Sequence, residues 1–471
     1  MFNEPLLFFI ILLSGFYMAW NIGANDVSNA MGTSVGSGAL TLFKAVIIAG
    51  VLEFCGAFFL GGNVSNTLQS GIIDPKIFEQ DAKTLLFGML SALIATALWL
   101  QIASFFGWPV STTHAIVGSL LGFGTIVGGV KAIYWGDVGI IASSWVVSPV
   151  LSGLFSYLLF SLLQRKILFA MDPIKATRRF IPYMVFIIFF TFSISVLVNG
   201  LGSFKASIST SNVLILSLSL GFCGAFLAFI ILKKLYFATE KIPTKSYYEQ
   251  LFSLNKAIKH LKRLELISHG SQRKDFSNQV KNLKNYKKEV KENASNYKTG
   301  SHYTIVEKMF GPLQILSAAY IAFAHGANDV ANAIGPLTAA LEILKTGTIS
   351  FSEKTPPALL LLGGTGIVIG LATWGWRVME TIGKKITELT PTRGFCAEFG
   401  GAVTILIASK LGLPISTTHC IVGAVLGVGM AKGLSAVNLQ TLRDIVLSWV
   451  ITIPLSAVVC VLVFYCLKIV F

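Results

Sequence analysis

GANDVSNAMG occupies residues 23–32, and a near copy, GANDVANAIG, occupies residues 326–335. Each copy sets an acidic residue, Asp26 or Asp329, against a long apolar run. The whole chain is 54% hydrophobic and 13% charged, with a mean hydropathy of +0.72. A soluble fold of ordinary composition cannot bury that much apolar surface. We therefore expect an all-α integral membrane protein that carries both acids inside the bilayer.

The expected membrane spans are the nearly uncharged stretches of about 20 residues, the length of a helix that crosses a bilayer. Glu4 rather than a basic cluster precedes the first stretch, and no small-x-small cleavage pattern follows it, so we expect a retained span there. The full stretches are 5–24, 44–62, 84–106, 138–163, 180–199, 211–235, 306–330, 358–376 and 443–470, and the shorter or interrupted runs are 107–130, 395–411 and 413–432.

Two further phrases recur along the chain. STTHAIVG begins at Ser111 and STTHCIVG at Ser416, while SSWVVSPVLSG and LSWVITIPLSA align on Trp145 and Trp449. The displacement is 303 residues for the acidic phrase, 305 for the STTH phrase and 304 for the tryptophans. Three phrases at nearly constant displacement indicate an internal duplication, which is a common plan among secondary transporters.

The number of crossings decides how the two copies are oriented. If 107–130 completes a crossing, the first copy crosses five times, two helices follow, and the second copy starts on the opposite side. That plan gives 12 crossings and two inverted repeats with broken half-helices at the STTH motifs. If the STTH segments only re-enter, the repeats are parallel. The expected domains are a first transport repeat (1–163), two connecting transmembrane helices (164–236), a basic cytoplasmic loop (237–305) and a second transport repeat (306–471).

The formal net charge of +15 is concentrated in the central segment, where residues 233–308 hold 17 Lys or Arg against 7 Asp or Glu. Basic loops stay on the cytoplasmic side of a membrane. We therefore expect both termini outside and no nucleic-acid partner, in a plasma membrane or a bacterial inner membrane. Apolar residues from Leu251 to Leu264 recur there at helical spacing among basic residues. A surface helix on anionic lipid has this pattern, although a solvated linker is the simpler interpretation.

Each acidic phrase gathers oxygen ligands at helical spacing. Residues three apart share a helix face, so carboxylate and amide oxygens can surround a hard cation. An acid inside a membrane is costly, which makes it a functional hypothesis; a carboxylate that caps a helix end is the alternative. Glycines at both ends of each phrase also predict an interrupted helix with freed carbonyls. The candidate cation ligands are Asp26, Asp329, Asn25 and Asn328, with Asn29 and Asn332 three residues after the acids.

The STTH phrases predict anion sites. A proline comes two residues before each phrase, and Ser and Thr are good N-caps, so each phrase is expected to begin a half-helix inside the membrane. Such an N-terminus offers free N–H groups and a positive dipole to an anion. For one copy alone, ordinary capping is the alternative. The candidate anion-binding residues are Ser111, Thr112, Thr113, Ser416, Thr417 and Thr418.

Neither STTH nor acidic phrase contains Lys or Arg. A multiply charged anion held only by hydroxyls and backbone dipoles would remain uncompensated in a medium of low dielectric constant, which is very costly. Cations bound at the acidic phrases would remove that cost. We therefore expect the anion and the cation to bind together, which is the energetic basis of symport.

Two further acids, Glu53 and Glu398, lie in apolar surroundings. The repeat displacement puts their counterparts near residues 355 and 94, so they are not copies of each other. Each is expected to line the pathway, ligate a cation or carry a proton, unless it pairs with an arginine or is a hydrogen-bonded structural acid. The histidine at the fourth position of each STTH phrase, His114 or His419, is expected to donate a hydrogen bond to a neighbouring carbonyl rather than to relay protons.

These phrases, together with WGWRVMETIGKKITELTPTRGFCAEFGG (374–401), resemble the inorganic phosphate transporter (PiT) family of cation–phosphate symporters over roughly residues 1–200 and 306–471. The resemblance implies a symporter of inorganic phosphate coupled to sodium, not an enzyme, with no resident cofactor; a homodimer is compatible with it. The resemblance implies that Asp26, Asp329, Asn25 and Asn328 bind sodium. It implies that the six Ser and Thr residues of the STTH phrases bind phosphate. Glu53 and Glu398 match acids that the family needs for transport.

Three other functions stay open. Relatives of this kind use protons as well as sodium, with phosphate or a metal–phosphate complex as cargo. Transport of sulfate or arsenate uses the same physics, although sulfate lacks the proton that phosphate can donate. An intramembrane hydrolase built on Ser111 and His114 is least favoured, because residues three apart at a helix start need not touch and the duplication would demand two such sites.

Overall fold

The computed structural model describes residues 4–203, 209–239, 247–295, 302–349, 355–376, 389–432 and 439–471. Its first half contains α1 (Glu4–Asn25), α2 (Val27–Gly36), α3 (Leu42–Leu60), α4 (Gly62–Ser70), α5 (Ala82–Phe105), α6 (Thr112–Val127) and α7 (Trp135–Leu163). The connecting region contains α8 (Pro173–Ser203), α9 (Thr210–Thr239), α10 (Tyr247–Ile267) and α11 (Gly270–Ser295). The second half contains α12 (His302–Thr346), α13 (Pro357–Trp374), α14 (Pro391–Lys410), α15 (Thr417–Lys432) and α16 (Leu439–Val470).

Eight segments of the described chain are long and apolar enough to cross a membrane. They lie on α1 with α2, and on α3, α5, α7, α8, α9, α13 and α16. The prediction of an all-α membrane protein is confirmed, whereas the 12 crossings stay a prediction. Helices α6 and α15 are apolar but have only 16 residues each, and α12 and α14 carry polar and charged residues within their apolar runs.

The two acidic phrases differ in backbone structure. Helices α1 and α2 are separated at Asp26, whose N–H still bonds to the carbonyl of Ile22 at 2.8 Å. In the second half, α12 continues without interruption through the phrase and through Pro336. The expectation that both helices break is therefore wrong for Asp329, although Pro336, which has no N–H, leaves the Asn332 carbonyl without its donor in the helix. Packing of α12 against neighbouring helices supports this continuous backbone, since tertiary contacts outweigh local propensity.

Glycines let helix backbones touch beside the acidic phrases. A Cβ atom built on Gly326 would lie 2.2 Å from the carbonyl oxygen of Glu53, and one built on Gly23 would lie 1.9 Å from that of Ile367. Helix α12 therefore crosses α3, and α1 crosses α13, in matching contacts. Because α3 crosses α12 at this point, Glu53 lies beside the second acidic phrase.

The same contacts identify the counterpart of Glu53. Gly23 and Gly326 are repeat counterparts, so their contact partners Ile367 and Glu53 correspond to each other, 314 residues apart. The expected counterpart near residue 355 is wrong, because the stretch between the acidic phrase and the next long helix is longer in the second half. The first half therefore has an acid, Glu53, at a position where the second half has the apolar residue Ile367.

Each half-helix packs on the last long helix of the other half. A Cβ atom on Gly118 of α6 would lie 2.6 Å from the carbonyl oxygen of Ile453 in α16, and one on Gly423 of α15 would lie 2.3 Å from that of Pro149 in α7. These close approaches hold α6 against α16 and α15 against α7. The two halves are therefore interlocked rather than placed side by side.

The α12–α3 crossing predicts a selective effect of one added methyl group. We expect Gly326→Ala to lower the apparent melting temperature of the purified protein, because the methyl group would overlap the Glu53 carbonyl and overpacking costs about 1–3 kcal/mol or more. Gly311→Ala is the matched control on α12, because no atom lies within 4 Å of its Cβ position. Equal melting temperatures for the two variants would contradict the crossing.

Candidate functional site

Two half-helix N-termini form one side of the site. Ser111 caps α6 by accepting a hydrogen bond from the His114 N–H at 3.2 Å, and Ser416 accepts one from the His419 N–H at 3.3 Å. Before each serine, a glycine with positive φ (Gly107 and Gly412) and a proline turn the chain out of the preceding helix. Both STTH phrases thus begin short helices, and all six of their Ser and Thr side chains are buried.

The two tips bond directly to each other. The Thr113 hydroxyl donates to the carbonyl of Ile415 at 2.9 Å, and the Thr418 hydroxyl donates to the carbonyl of Val110 at 3.2 Å. Each threonine therefore reaches the residue that precedes the N-cap of the other half-helix. This reciprocal pair brings two positive helix ends together at one place.

Each half-helix tip also contacts an acid. The Thr112 hydroxyl donates to Asp26 Oδ2 at 2.6 Å, and the Thr417 hydroxyl donates to Asp329 Oδ2 at 2.8 Å. Both acids have no exposed surface. The duplicated acidic and STTH phrases are thus in contact within each half, and the Thr418 hydroxyl lies 3.5 Å from Asp26 across the halves.

The asparagines beside the acids donate hydrogen bonds from their amide nitrogens to the end of the helix and to the turn that precede each half-helix. Asn25 Nδ2 donates to Ser104 Oγ at 3.0 Å, and Asn328 Nδ2 donates to Ser409 Oγ at 3.1 Å. Each also donates to a carbonyl of the same turn. The Asn328 Oδ1 atom has no hydrogen-bond partner in the described protein, so an amide oxygen remains for a cation.

Of the two asparagines that lie three residues after the acids, the structure describes the side-chain contacts of Asn332 alone. Asn332 Nδ2 donates to the hydroxyls of Thr112 at 3.1 Å and Thr113 at 3.3 Å. The amide nitrogen of Asn332 therefore helps to position two of the candidate anion-binding threonines, which belong to the other half of the chain. The Asn29 side chain lies outside the described residues, so its predicted ligand role stays a prediction.

A histidine that the sequence analysis missed lies at the centre of the site. His325 Nδ1 lies 2.8 Å from Glu53 Oε2, and its Nε2 lies 2.9 Å from Asp329 Oδ2, the latter as a close contact without hydrogen-bond geometry. His325 therefore connects two acids from different helices. Its repeat counterpart is Ile22, so the second half has a histidine where the first half has an apolar residue. This difference is the feature of the sequence that could have identified His325.

Ligand atoms of Asp26, His325 and Asp329 lie within 4.8 Å of one another, and all three residues are buried. Asp329 Oδ1 and Glu53 Oε1 are buried and have no hydrogen-bond partner in the described protein. Unpaired buried acceptors are costly, and a cation that binds them removes the cost. The cluster therefore has the charge and the free oxygens of a cation site.

Glu398 belongs to a separate polar cluster. The hydroxyls of Thr33 and Ser34, which follow the first acidic phrase, each donate to Glu398 Oε1 at 2.6 Å. Gln314 Nε2 donates to the same oxygen at 3.1 Å, and the Ser317 hydroxyl donates to Oε2 at 2.5 Å. Four neutral donors from α2 and α12 thus hold this buried acid, which is the arrangement of a hydrogen-bonded acid.

The histidines of the STTH phrases bond across the halves. His114 Nδ1 lies 3.4 Å from the carbonyl oxygen of Trp449, and His419 Nδ1 lies 3.2 Å from that of Trp145. An imidazole that bonds to a carbonyl must donate, so each Nδ1 carries a proton. The interpretation of these histidines as donors to carbonyls is confirmed.

Comparison with known proteins decides the family. The family model described as PHO4, the phosphate transporter family, matches residues 22–460. The chain belongs to the phosphate transporter family. A protein of Chlamydia pneumoniae described as a candidate phosphate permease is 45% identical over 473 residues, which covers 99% of each chain. The Arabidopsis thaliana protein named inorganic phosphate transporter 2-1, chloroplastic, is 44% identical over 463 residues, which covers 98% of this chain and 72% of the plant protein.

A solved structure extends the comparison to the fold. It is titled "The sodium-dependent phosphate transporter", and it matches with a TM-score of 0.80 and 36% identity over 99% of this chain and 100% of the other. The family resemblance seen in the motifs is confirmed. This phosphate transporter is a multi-pass membrane protein and not an enzyme.

The contact between His325 and Glu53 in this transporter can be tested by a double-mutant cycle. We expect His325→Gln and Glu53→Gln each to lower the apparent melting temperature, and the double variant to lower it by less than the sum. Residues in contact typically show a coupling energy of about 0.5–3 kcal/mol. His325→Gln combined with Glu398→Gln is the control, since Glu398 has its own donors. Additive effects in both pairs would contradict the contact.

Proposed function

We propose that this chain is a secondary active symporter that carries inorganic phosphate across the membrane together with sodium. The observation that carries the proposal is the junction of two half-helix N-termini with two buried acids in one cluster. The half-helices supply an environment for an anion, and the acids supply one for cations. Family membership and a solved relative titled as sodium-dependent support it.

The phosphate position in this proposal lies at the paired half-helix tips. The first N–H groups of a helix have no partner within the helix, so both tips offer backbone donors. The Ser111 and Ser416 hydroxyls accept from backbone N–H groups, which leaves their own hydrogens available to an anion. The hydroxyls of Thr112 and Thr417 complete the donor set once they no longer donate to the aspartates, whereas those of Thr113 and Thr418 donate to carbonyls.

The hydroxyls of Thr112 and Thr417 link the anion to the cation. Each hydroxyl has one proton, and each now donates it to an acid, Asp26 or Asp329. A sodium ion that binds the carboxylate replaces this hydrogen bond and frees the proton for phosphate. Binding of one ion therefore favours binding of the other, which is the coupling that symport requires.

The sodium ligands in the proposal are the two aspartates with Asn25 and Asn328. Sodium prefers oxygen ligands, as other hard cations do, and the cluster offers carboxylate oxygens together with the unpaired Oδ1 of Asn328. Glu53 contributes further negative charge through His325. Glu398 lies outside this cluster and serves transport by holding α2 and α12 together at its hydrogen bonds.

The proposed topology is the inverted one, with 12 crossings, domain boundaries at 163/164, 236/237 and 305/306, the basic segment in the cytoplasm and both termini outside. Matching contacts of Gly23 and Gly326, and of Gly118 and Gly423, support two related halves. The two basic segments, 164–179 and 233–308, fall on one side in this arrangement, as cytoplasmic loops do.

Uptake of labelled phosphate into proteoliposomes tests the proposal. We expect uptake to follow an imposed sodium gradient, and Asp26→Asn and Asp329→Asn each to lower its rate about tenfold or more. Each variant removes the charged acceptor of a threonine hydroxyl, and a hydrogen bond to a charged group contributes about 1.5–3 kcal/mol. A loss of about 1.4 kcal/mol corresponds to a tenfold change in binding. Asp137→Asn, at an exposed acid near the start of α7, is the control and should transport normally.

The outcomes separate the alternatives. Uptake that ignores sodium and follows a proton gradient would reassign the acids to proton coupling. Uptake of labelled sulfate at the same rate would contradict phosphate selectivity. A lack of phosphate uptake under either gradient, beside a known carrier that works in the same liposomes, would contradict the proposal as a whole.

A further inference from the structure

The central basic segment folds into a helical hairpin. Helices α10 and α11 pack along each other, joined by a short turn at residues 268–269. We call α10, this turn and α11 the basic hairpin. Its apolar residues at helical spacing are used inside the pair: Leu254, Ile258 and Leu261 of α10 are partly buried, and Val280 of α11 is buried. The described part of the leucine face that the sequence offered to lipid is therefore partly covered.

Apolar residues at the tip of the basic hairpin remain uncovered. Leu266 is 77% exposed and Ile267 is 70% exposed, and Leu264 one turn earlier is 40% exposed. These three residues end α10 and adjoin the turn. Large aliphatic side chains exposed together at the end of a polar hairpin indicate a contact surface for an apolar phase.

Basic side chains surround this tip. Lys262 and Arg263 lie on α10 beside the apolar residues, and Arg273 and Lys274 lie near the start of α11. All four are exposed. Two acids, Glu265 and Asp275, lie among them. An exposed aliphatic tip ringed by more basic than acidic groups complements an anionic bilayer surface.

The middle of α10 contacts the residue that follows a candidate membrane span. Lys256, near the middle of α10, places its ammonium 4.7 Å from the ring centroid of Phe169. Phe169 immediately follows the candidate span Trp135–Leu168. Ile267 is 11 residues beyond Lys256, and a helix rises 1.5 Å per residue, so the tip lies within about 16 Å of this contact. That distance lets the tip reach lipid headgroups on the same side.

We propose that the tip of the basic hairpin, Leu264, Leu266 and Ile267, inserts into the headgroup region of an anionic membrane leaflet, held by Lys262, Arg263, Arg273 and Lys274. The partner is therefore the surface of a bilayer that contains anionic phospholipid. The basic loop at 164–179, on which Phe169 lies, adds positive charge at the same face. This inference is independent of the transported ion and of the coupling mechanism.

Fluorescence quenching in nanodiscs tests this contact with the full chain. The exposed Cys223 and Cys466 and the half-buried Cys55 are first replaced by serine. Ile267→Cys then carries an environment-sensitive fluorophore, and a lipid with a spin label near its headgroup serves as quencher. We expect at least twofold stronger quenching in discs of phosphatidylcholine with phosphatidylglycerol than in discs of phosphatidylcholine alone. Salt near 1 M, where the Debye length is about 3 Å, should remove the difference.

Charge variants supply the matched comparison. Replacing Lys262, Arg263, Arg273 and Lys274 by glutamine should reduce quenching in the anionic discs to the level in phosphatidylcholine. Glu265→Gln with Asp275→Asn, which removes charge from the same tip but of opposite sign, should retain or strengthen it. Equal quenching in both lipids, no quenching in either, or full quenching in the fourfold glutamine variant would each overturn the proposal. Phosphate uptake by each variant shows that the chain is folded.

Discussion

The arrangement of the site depends on two carboxylates that are buried without surface exposure, Asp26 and Asp329. In the described part of the chain, threonine hydroxyls contact both acids and His325 contacts Asp329, rather than lysine or arginine. A buried carboxylate satisfied mainly by neutral donors attracts a cation strongly, because the charge has left water without full compensation. The glycine crossings and the threonine contacts position these two charges beside the paired N-termini of the half-helices. In the proposed function, cations bound by these carboxylates offset the negative charge of the protein and let phosphate bind beside it.

The two halves share geometry but differ in chemistry. Their half-helix tips, their threonine–aspartate bonds and their glycine crossings match position by position. His325 and Glu53 have Ile22 and Ile367 as counterparts, so only the Asp329 side carries this extra pair. Glu398 lies likewise in one half and bonds to α2 and α12. The environments of the two aspartates are therefore unequal, and under the proposed function the two positions would bind their cations with unequal affinities.

The half-helix part of this site could be predicted, because the two STTH phrases begin matching helices and the capping chemistry of Ser111 and Ser416 is local. The ionic balance predicted that the anion and the cation bind together, whereas the threonine–aspartate contacts that join the two phrases are seen only in the fold. The His325–Glu53 pair could not be predicted, since it depends on how α3 crosses α12, and the repeat displacement changes to 314 there. The continuous α12 was also missed, because its glycines serve close packing rather than a break.

The central claim is that phosphate and sodium bind together at this cluster. Equilibrium binding of labelled phosphate to the purified protein, measured over a range of sodium at constant ionic strength set with choline, tests it most directly. The account predicts that saturating sodium lowers the Kd for phosphate by a factor in the range of about 5–150, and that phosphate raises the sodium affinity by the same factor. A phosphate Kd that is independent of sodium would contradict it.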